Sequence, residues 1–86
     1  MRIVLHRVFE KRLKKLPRPI LNAYKKRRDL FLQDPFHPLL DNHALSGEYY
    51  GLRSINVTGD FRILYDPVET DLAYFIKIGT HSELYG

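Results

Sequence analysis

The residues of this chain that are best suited to chemistry are two histidines and an aspartate. His43 and His81 carry imidazole rings, which exchange protons near neutral pH, and Asp60 adds a carboxylate. His81 comes two residues after Gly79, which breaks the apolar alternation of a predicted strand, so its ring lies at the mouth of that strand. The alternative is that His81 lies at the edge of a sheet and has no catalytic role.

A three-stranded meander would bring polar residues from distant positions to one end of a sheet. The residues expected to meet there are Asn56, Asp60, Lys77 and His81, with Arg53 and Arg62 on the strands nearby. An acid, an imidazole and several cations suit a phosphate diester better than an acyl group. There is no serine with an adjacent base and no glycine-rich phosphate loop, which argues against acyl transfer and nucleotide phosphate binding of the P-loop kind.

The remaining histidines give no further site. His6 and His37 are interpreted as a helix-start residue and a loop residue without a role. No HxxxH or HxH spacing joins any of the four histidines, so no metal site and no cofactor are predicted.

Length and composition indicate one small domain over residues 1–86, because a chain of this size holds a single hydrophobic core. Without cysteine it can form no disulfide, no thiolate zinc site and no thiol nucleophile. It has no signal peptide and no apolar run near the ~18 residues of a membrane span. These features predict a cytoplasmic protein without a membrane partner.

The positive charge is concentrated in the first third of the chain. Residues 2–28 hold eleven of the fourteen Lys and Arg residues but only one acid, Glu10. Such a basic block suits a polyanion or an acidic protein partner. The alternative is a solvated helical face with no such partner.

The apolar periodicity predicts an α+β fold with the element order β-α-α-β-β-β. The expected elements are a strand at 1–5, a helix from about 6 to Pro17, a second helix from Arg18 to Asp34, a loop at 35–46, and strands at 49–57, 61–66 and 72–78. Ser82 is the expected N-cap of a short closing helical turn. The strands form an antiparallel meander with the first strand added, and the helical hairpin covers one face. The partner of the first strand is not fixed by this pattern.

Four segments of the C-terminal half carry recognisable motifs. They are Asn42–Gly47, Gly51–Arg53, Asp60–Tyr65 and Gly79–Gly86. Together they resemble the RelE superfamily of toxins, and within it most closely the YafQ-type endoribonuclease toxins of toxin–antitoxin pairs. The N-terminal half resembles that family only in element order and basic character.

The resemblance implies an endoribonuclease (an mRNA interferase) that cleaves mRNA in the ribosomal A site. It implies cleavage without metal, attack by the 2′-hydroxyl, and silencing by a cognate antitoxin. His81 is then the general acid for the leaving 5′-oxygen, His43 a base or phosphate ligand, and Asp60 the acidic residue at the turn. The residues expected to contact substrate are Arg53, Asn56, Arg62, Lys77 and Tyr85.

Two positions depart from the family pattern. Asn56 stands where YafQ-type toxins commonly carry a histidine, and Ser54 stands at an acidic position. Because an amide cannot take up a proton at neutral pH, either His43 and Asp60 act as base or activity is reduced. Two alternatives therefore stay open: a ParE-like gyrase-poisoning toxin that shares the fold, and a catalytically weak member that only binds its antitoxin.

Overall fold

A five-stranded mixed sheet and three helices form the architecture, in a computed structural model that describes all 86 residues. The strands are β1 (Arg2–Leu5), β2 (His43–Ala44), β3 (Arg53–Asn56), β4 (Phe61–Glu69) and β5 (Leu72–Thr80), and the helices are α1 (Arg7–Leu13), α2 (Arg18–Gln33) and α3 (His81–Tyr85). Short 3₁₀ turns occur at Pro38–Leu40 and Gly47–Tyr49. The predicted α+β class and the order β-α-α-β-β-β are confirmed, with β2 as an additional edge strand. No helix is long and apolar enough to cross a membrane.

The strand order across the sheet is β1-β5-β4-β3-β2. β1 runs parallel to β5, with Ile3 opposite Ala73, and the other neighbours are antiparallel. The partner of the first strand, which the sequence pattern left open, is thus the last strand. Because β1 pairs only with the first half of β5, the second half of β5 lies beside α1 instead.

The helical hairpin has ends that follow from its sequence. The His6 side chain accepts a hydrogen bond from the Val8 N–H at 3.0 Å and so caps α1. α1 ends at Leu13 rather than at Pro17 as predicted, because i→i−3 bonds such as Leu16 N–H to the Leu13 carbonyl tighten the last turn. Pro19 lies in the first turn of α2, where its missing N–H costs nothing.

The core lies between this hairpin and one face of the sheet. Phe75 is fully buried, and its ring centroid lies 5.6 Å from Phe9, 5.5 Å from Phe31 and 6.0 Å from Tyr65. Nine of the twelve buried residues of the core cluster come from α1, α2, β3, β4 and β5, and the other three (Leu16, Leu40 and Val57) lie in the segments between these elements. Tilted and edge-on aromatic pairs of this kind add to the free energy gained from burial alone.

The strand boundaries differ from the prediction in four places, and at one of them β5 continues through Gly79 to Thr80 instead of ending at Ile78. A single strand over 49–57 was expected, but Gly51 has φ 97°, so extended backbone begins only at Arg53. β4 continues through Pro67 to Glu69, which is possible because the pairing with β5 is irregular there. His43 lies in β2, opposite Ser54, rather than in a loop.

Candidate active site

An open cavity of about 230 Å³ lies on the sheet face that the helical hairpin leaves free. Its lining residues come from β2 and the residues on either side of it, from β4 and from α3, and they are Asp41, His43, Leu45, Arg62, His81 and Tyr85. Both predicted catalytic histidines therefore border the same cavity. Arg62 and Tyr85, two of the predicted substrate-binding residues, border it with them.

Strand register explains why Arg62, which lines the cavity, and Asn56 lie on the same face of the sheet. Asn56 is opposite Arg62 in the β3–β4 pair, and Arg62 is opposite Gly79 in the β4–β5 pair. Directly opposed residues project on the same side of a sheet, whereas Ile63 next to Arg62 points into the core.

This face carries polar atoms that have no partner within the protein. Oδ1 of Asn56, Nη1 of Arg62 and Oγ of Ser54 are buried and make no hydrogen bond. A buried polar atom left unpaired costs about 1–3 kcal/mol. The guanidinium also lacks an acidic partner, so it keeps its full capacity to bind anionic oxygens.

His43 is oriented by Asp41, a residue that sequence reasoning missed. The His43 Nδ1 lies 2.8 Å from the main-chain carbonyl of Asp41, and 3.9 Å from its carboxylate Oδ2. Because a carbonyl oxygen only accepts, Nδ1 carries the proton, and in the neutral ring Nε2 keeps its lone pair. Asp41 has φ 47°, a left-handed conformation that aspartate tolerates. The Asp-x-His spacing is the only sequence signal for this contact.

His81 is the first residue of α3 and is held by its backbone. Its N–H donates to the carbonyl of Asp60 at 3.1 Å, while its exposed ring makes no hydrogen bond. The ring lies against Tyr85, with centroids 4.8 Å apart, as expected of residues i and i+4 on a helix. Ser82 is not the N-cap, because the Thr80 hydroxyl accepts the capping hydrogen bond instead. The ring nitrogens of His81 are thus free for a ligand.

The third predicted catalytic residue, Asp60, is close to His81 only through its main chain. Its carboxylate makes no ion pair or hydrogen bond and does not line the cavity. The structure therefore brings together two of the three predicted catalytic side chains.

Arg53 lies away from the cavity, on the opposite face of the sheet. Its Nε donates to Oδ1 of Asn42 at 2.7 Å, and its guanidinium lies 5.3 Å from the centroid of Phe36. It lines a separate groove together with Phe36 and Tyr65. The structure gives Arg53 no contact with the two histidines.

Lys77 does not line the cavity, but it contacts Tyr49, which in turn contacts Tyr85 of the cavity lining. Its Nζ is 3.4 Å from the hydroxyl of Tyr49 and 5.3 Å from the ring centroid. Tyr49 in turn meets Tyr85 edge-on, with centroids 5.7 Å apart, and donates to the carbonyl of Leu84 at 2.7 Å. Tyr49 was not among the predicted site residues, and it packs against the ring of Tyr85.

No group of three potential metal ligands occurs in the structure.

Solved structures of bacterial and archaeal toxins share this fold. YafQ from E. coli superposes with a TM-score of 0.82 and is 24% identical, over 99% of this chain and 98% of that one. The toxin–antitoxin complex of E. coli YafQ with DinJ gives 0.78 and 24%, over 99% and 97%. The archaeal RelE–RelB complex from Pyrococcus horikoshii gives 0.72 and 22%, over 92% of each chain. No curated protein sequence matches the chain significantly.

The chain thus has the fold that the solved YafQ and RelE toxins share. The chain belongs to the YafQ family, described as bacterial toxins of type II toxin–antitoxin systems, because the family profile matches residues 1–86. The predicted RelE superfamily membership, with YafQ as the nearest branch, is confirmed.

Proposed function

We propose that this protein is an endoribonuclease toxin that cleaves mRNA in the ribosomal A site and is silenced by a cognate antitoxin. The observation that carries the proposal is the cavity shared by His43, His81 and Arg62. A base, an acid and a cation around one space are the groups that metal-independent attack of a 2′-hydroxyl requires.

His43 acts as the general base in this proposal. Its Nδ1 proton is committed to the Asp41 carbonyl, so Nε2 is the atom that takes the proton from the 2′-hydroxyl. The 2′-oxygen then bonds to phosphorus, and the bond from phosphorus to the 5′-oxygen breaks. Asp60 has no comparable arrangement for this step, since its carboxylate is not directed into the cavity.

His81 donates a proton to the leaving 5′-oxygen, and Arg62 stabilises the charge on the phosphoryl oxygens. Imidazole suits the first task because it can carry and release a proton near neutral pH. Nη1 of Arg62 and Oδ1 of Asn56 are unpaired within the protein; a phosphate oxygen would accept from Nη1, and a ribose hydroxyl would donate to Oδ1. Tyr85 limits the motion of the His81 ring and offers a face for a base.

The basic helices hold the ribosome in this proposal. Eight of the eleven basic residues in the first third are exposed and form no ion pair. They are Arg2, Arg7, Lys11, Lys14, Lys15, Arg18, Lys25 and Lys26. This unpaired charge suits ribosomal RNA, and an acidic antitoxin segment would compete for it. Solved relatives bound to their antitoxins support the second partner.

Primer extension on a reporter mRNA tests the proposal during induction of the toxin alone and together with its neighbouring antitoxin gene. We expect new 5′ ends in frame with codons and growth arrest, both abolished by the antitoxin. In parallel, gyrase with supercoiled DNA tests the ParE-like alternative. Growth arrest without mRNA ends, or a gyrase response, would reject ribonuclease activity. If induction is harmless and no ends appear, the protein is the inactive antitoxin binder that Asn56 suggests.

A further inference from the structure

The short helix that carries His81 is tied to the sheet by a carboxylate. The Thr80 N–H donates to Oε1 of Glu83 at 2.8 Å, and the Glu83 N–H donates to the Thr80 hydroxyl at 3.2 Å. This reciprocal capping box encloses His81 and Ser82. The carboxylate that closes the first turn therefore lies two residues from the predicted acid.

The same carboxylate binds a second, distant element. Nη2 of Arg12 in α1 donates to both oxygens of Glu83, at 2.9 and 2.8 Å. The Thr80 N–H, together with the charge of Arg12, holds the pKa of Glu83 below its usual range. Glu83 thus joins α3, the end of β5 and the basic helix α1.

Gly79 leaves the space that this arrangement needs. A Cβ atom at position 79 would lie 3.3 Å from both Cβ and Oε1 of Glu83, and 3.5 Å from Cδ2 of Leu84. Glycine therefore lets α3 approach the strand closely enough for the carboxylate to reach Thr80. The Gly-Thr-His-x-Glu run builds the first turn of α3 from adjacent residues.

We propose that Glu83, braced by Arg12, is a positioning residue that fixes the direction of the His81 ring. A helix of five residues has no stability of its own in water, so contacts with the rest of the protein must set its orientation. Leu84 and the hydroxyl of Tyr49 hold its C-terminal end. Glu83 and Arg12 hold the turn that begins with His81. The effect on cleavage rests on the proposed function, whereas the effect on ring orientation does not.

The proposal separates Arg12 from the other basic residues of its helix. Arg12 is committed to Glu83, whereas its neighbour Lys11 is exposed and unpaired. Loss of Arg12 should therefore act on the chemical step, and loss of Lys11 on ribosome binding. Lys11→Ala is the matched control, since it removes the same unit of charge from the adjacent position.

Steady-state cleavage on programmed ribosomes gives the first readout. We expect Glu83→Ala and Arg12→Ala to lower kcat about tenfold to a hundredfold with little change in KM, because small misplacement of a reacting group costs up to about that much. Lys11→Ala should raise KM and leave kcat unchanged. The double variant Arg12→Ala/Glu83→Ala should be no slower than Glu83→Ala alone. Glu83→Gln keeps an oxygen for the Thr80 N–H, so its kcat should lie between those of wild type and Glu83→Ala.

The ring signals of His81 in the RNA-free protein give a second, independent readout by NMR. The Tyr85 ring lies close enough to displace these signals by its ring current. In Glu83→Ala they should move toward the values of an unstructured peptide. Moved signals in a protein that cleaves no RNA would uphold the positioning role and reject the proposed function.

Unchanged kcat and unchanged His81 signals in folded Glu83→Ala would overturn the positioning role. So would an effect of Arg12→Ala on KM alone. If Glu83→Ala does not fold, Glu83→Gln and Arg12→Ala decide by the same two readouts.

Discussion

Replacing His81 by glutamine should separate catalysis from stability. The His81 side chain is exposed, makes no hydrogen bond and lies against the ring of Tyr85, while its backbone N–H bond to Asp60 survives the change. Surface substitutions of this kind alter the free energy of unfolding by about 0.5 kcal/mol or less. In a domain of this size that corresponds to a shift in Tm of about 2–4 °C at most.

The effect on cleavage should be far larger. A positioned general acid contributes about 10²–10⁴-fold in rate. At about 1.36 kcal/mol per factor of ten, its loss raises the barrier by about 2.7–5.4 kcal/mol. Glutamine can donate a hydrogen bond to the leaving oxygen but cannot deliver a proton, so it should not restore the rate.

Single-turnover cleavage on programmed ribosomes and thermal unfolding by circular dichroism measure the two effects. His37→Ala is the matched control, because the His37 Nδ1 accepts the Leu39 N–H and His37 does not line the cavity. It should lower the free energy of unfolding by about 1 kcal/mol, as for other lost caps, and leave cleavage unchanged. If folded His81→Gln cleaves within threefold of wild type, His81 is not the acid.

Four further predictions test the fold, the electrostatics and the site. Phe75→Ala should lower the free energy of unfolding by about 3–5 kcal/mol in denaturant titrations, and a loss below 1 kcal/mol would contradict its central place in the core. The pKa of Glu83 is lowered because the folded protein stabilises its carboxylate form. The resulting contribution to the free energy of unfolding is fully present above the unfolded pKa of about 4.3 and is lost as the pH falls through the folded pKa. The Tm difference between wild type and Glu83→Gln should therefore shrink toward pH 3, and a constant difference would refute the ion pair's role. Ribosome affinity should fall with salt with a log–log slope of about −3 to −7 if half to all of the eight unpaired basic residues meet phosphate, whereas a flat dependence would exclude RNA contacts. Asn56→His should raise the cleavage rate by adding a group that can exchange protons beside Arg62, and an unchanged rate would show that His43 suffices as base.

The sequence predicts α2 well because its limits are local. Pro17 and Pro35 bracket α2, and its apolar stripe faces a core that any packing of this hairpin would create. The parallel pairing of β1 with β5 was not predictable in the same way. It joins residues about seventy positions apart and leaves no local signature, since only the crossover geometry of the whole chain decides it.

The face on which each site residue lies can be predicted from the alternation of side chains along a strand. Arg53 and Asn56 are three residues apart on one regular strand, so they must project from opposite faces, and only Asn56 shares the face of Arg62. The placement of Arg53 on the other face therefore follows from strand alternation alone. The contact between the Asp41 carbonyl and His43 could not be predicted from the sequence, because it depends on a backbone conformation with positive φ rather than on a side-chain type.

The two faces of the sheet explain how so small a protein can hold unpaired polar groups. On β3 and β4 the side chains alternate between a core of aromatic and aliphatic residues and the open face that carries Asn56 and Arg62. Burial on the first face supplies the stability, so the second face can tolerate the cost of unpaired atoms. The cavity side chains have orienting contacts of their own: Asp41 for His43 and, as we propose, Glu83 with Arg12 for His81. Substitutions in these contacts should change the rate of cleavage more than the free energy of unfolding, whereas substitutions such as Phe75→Ala should do the reverse.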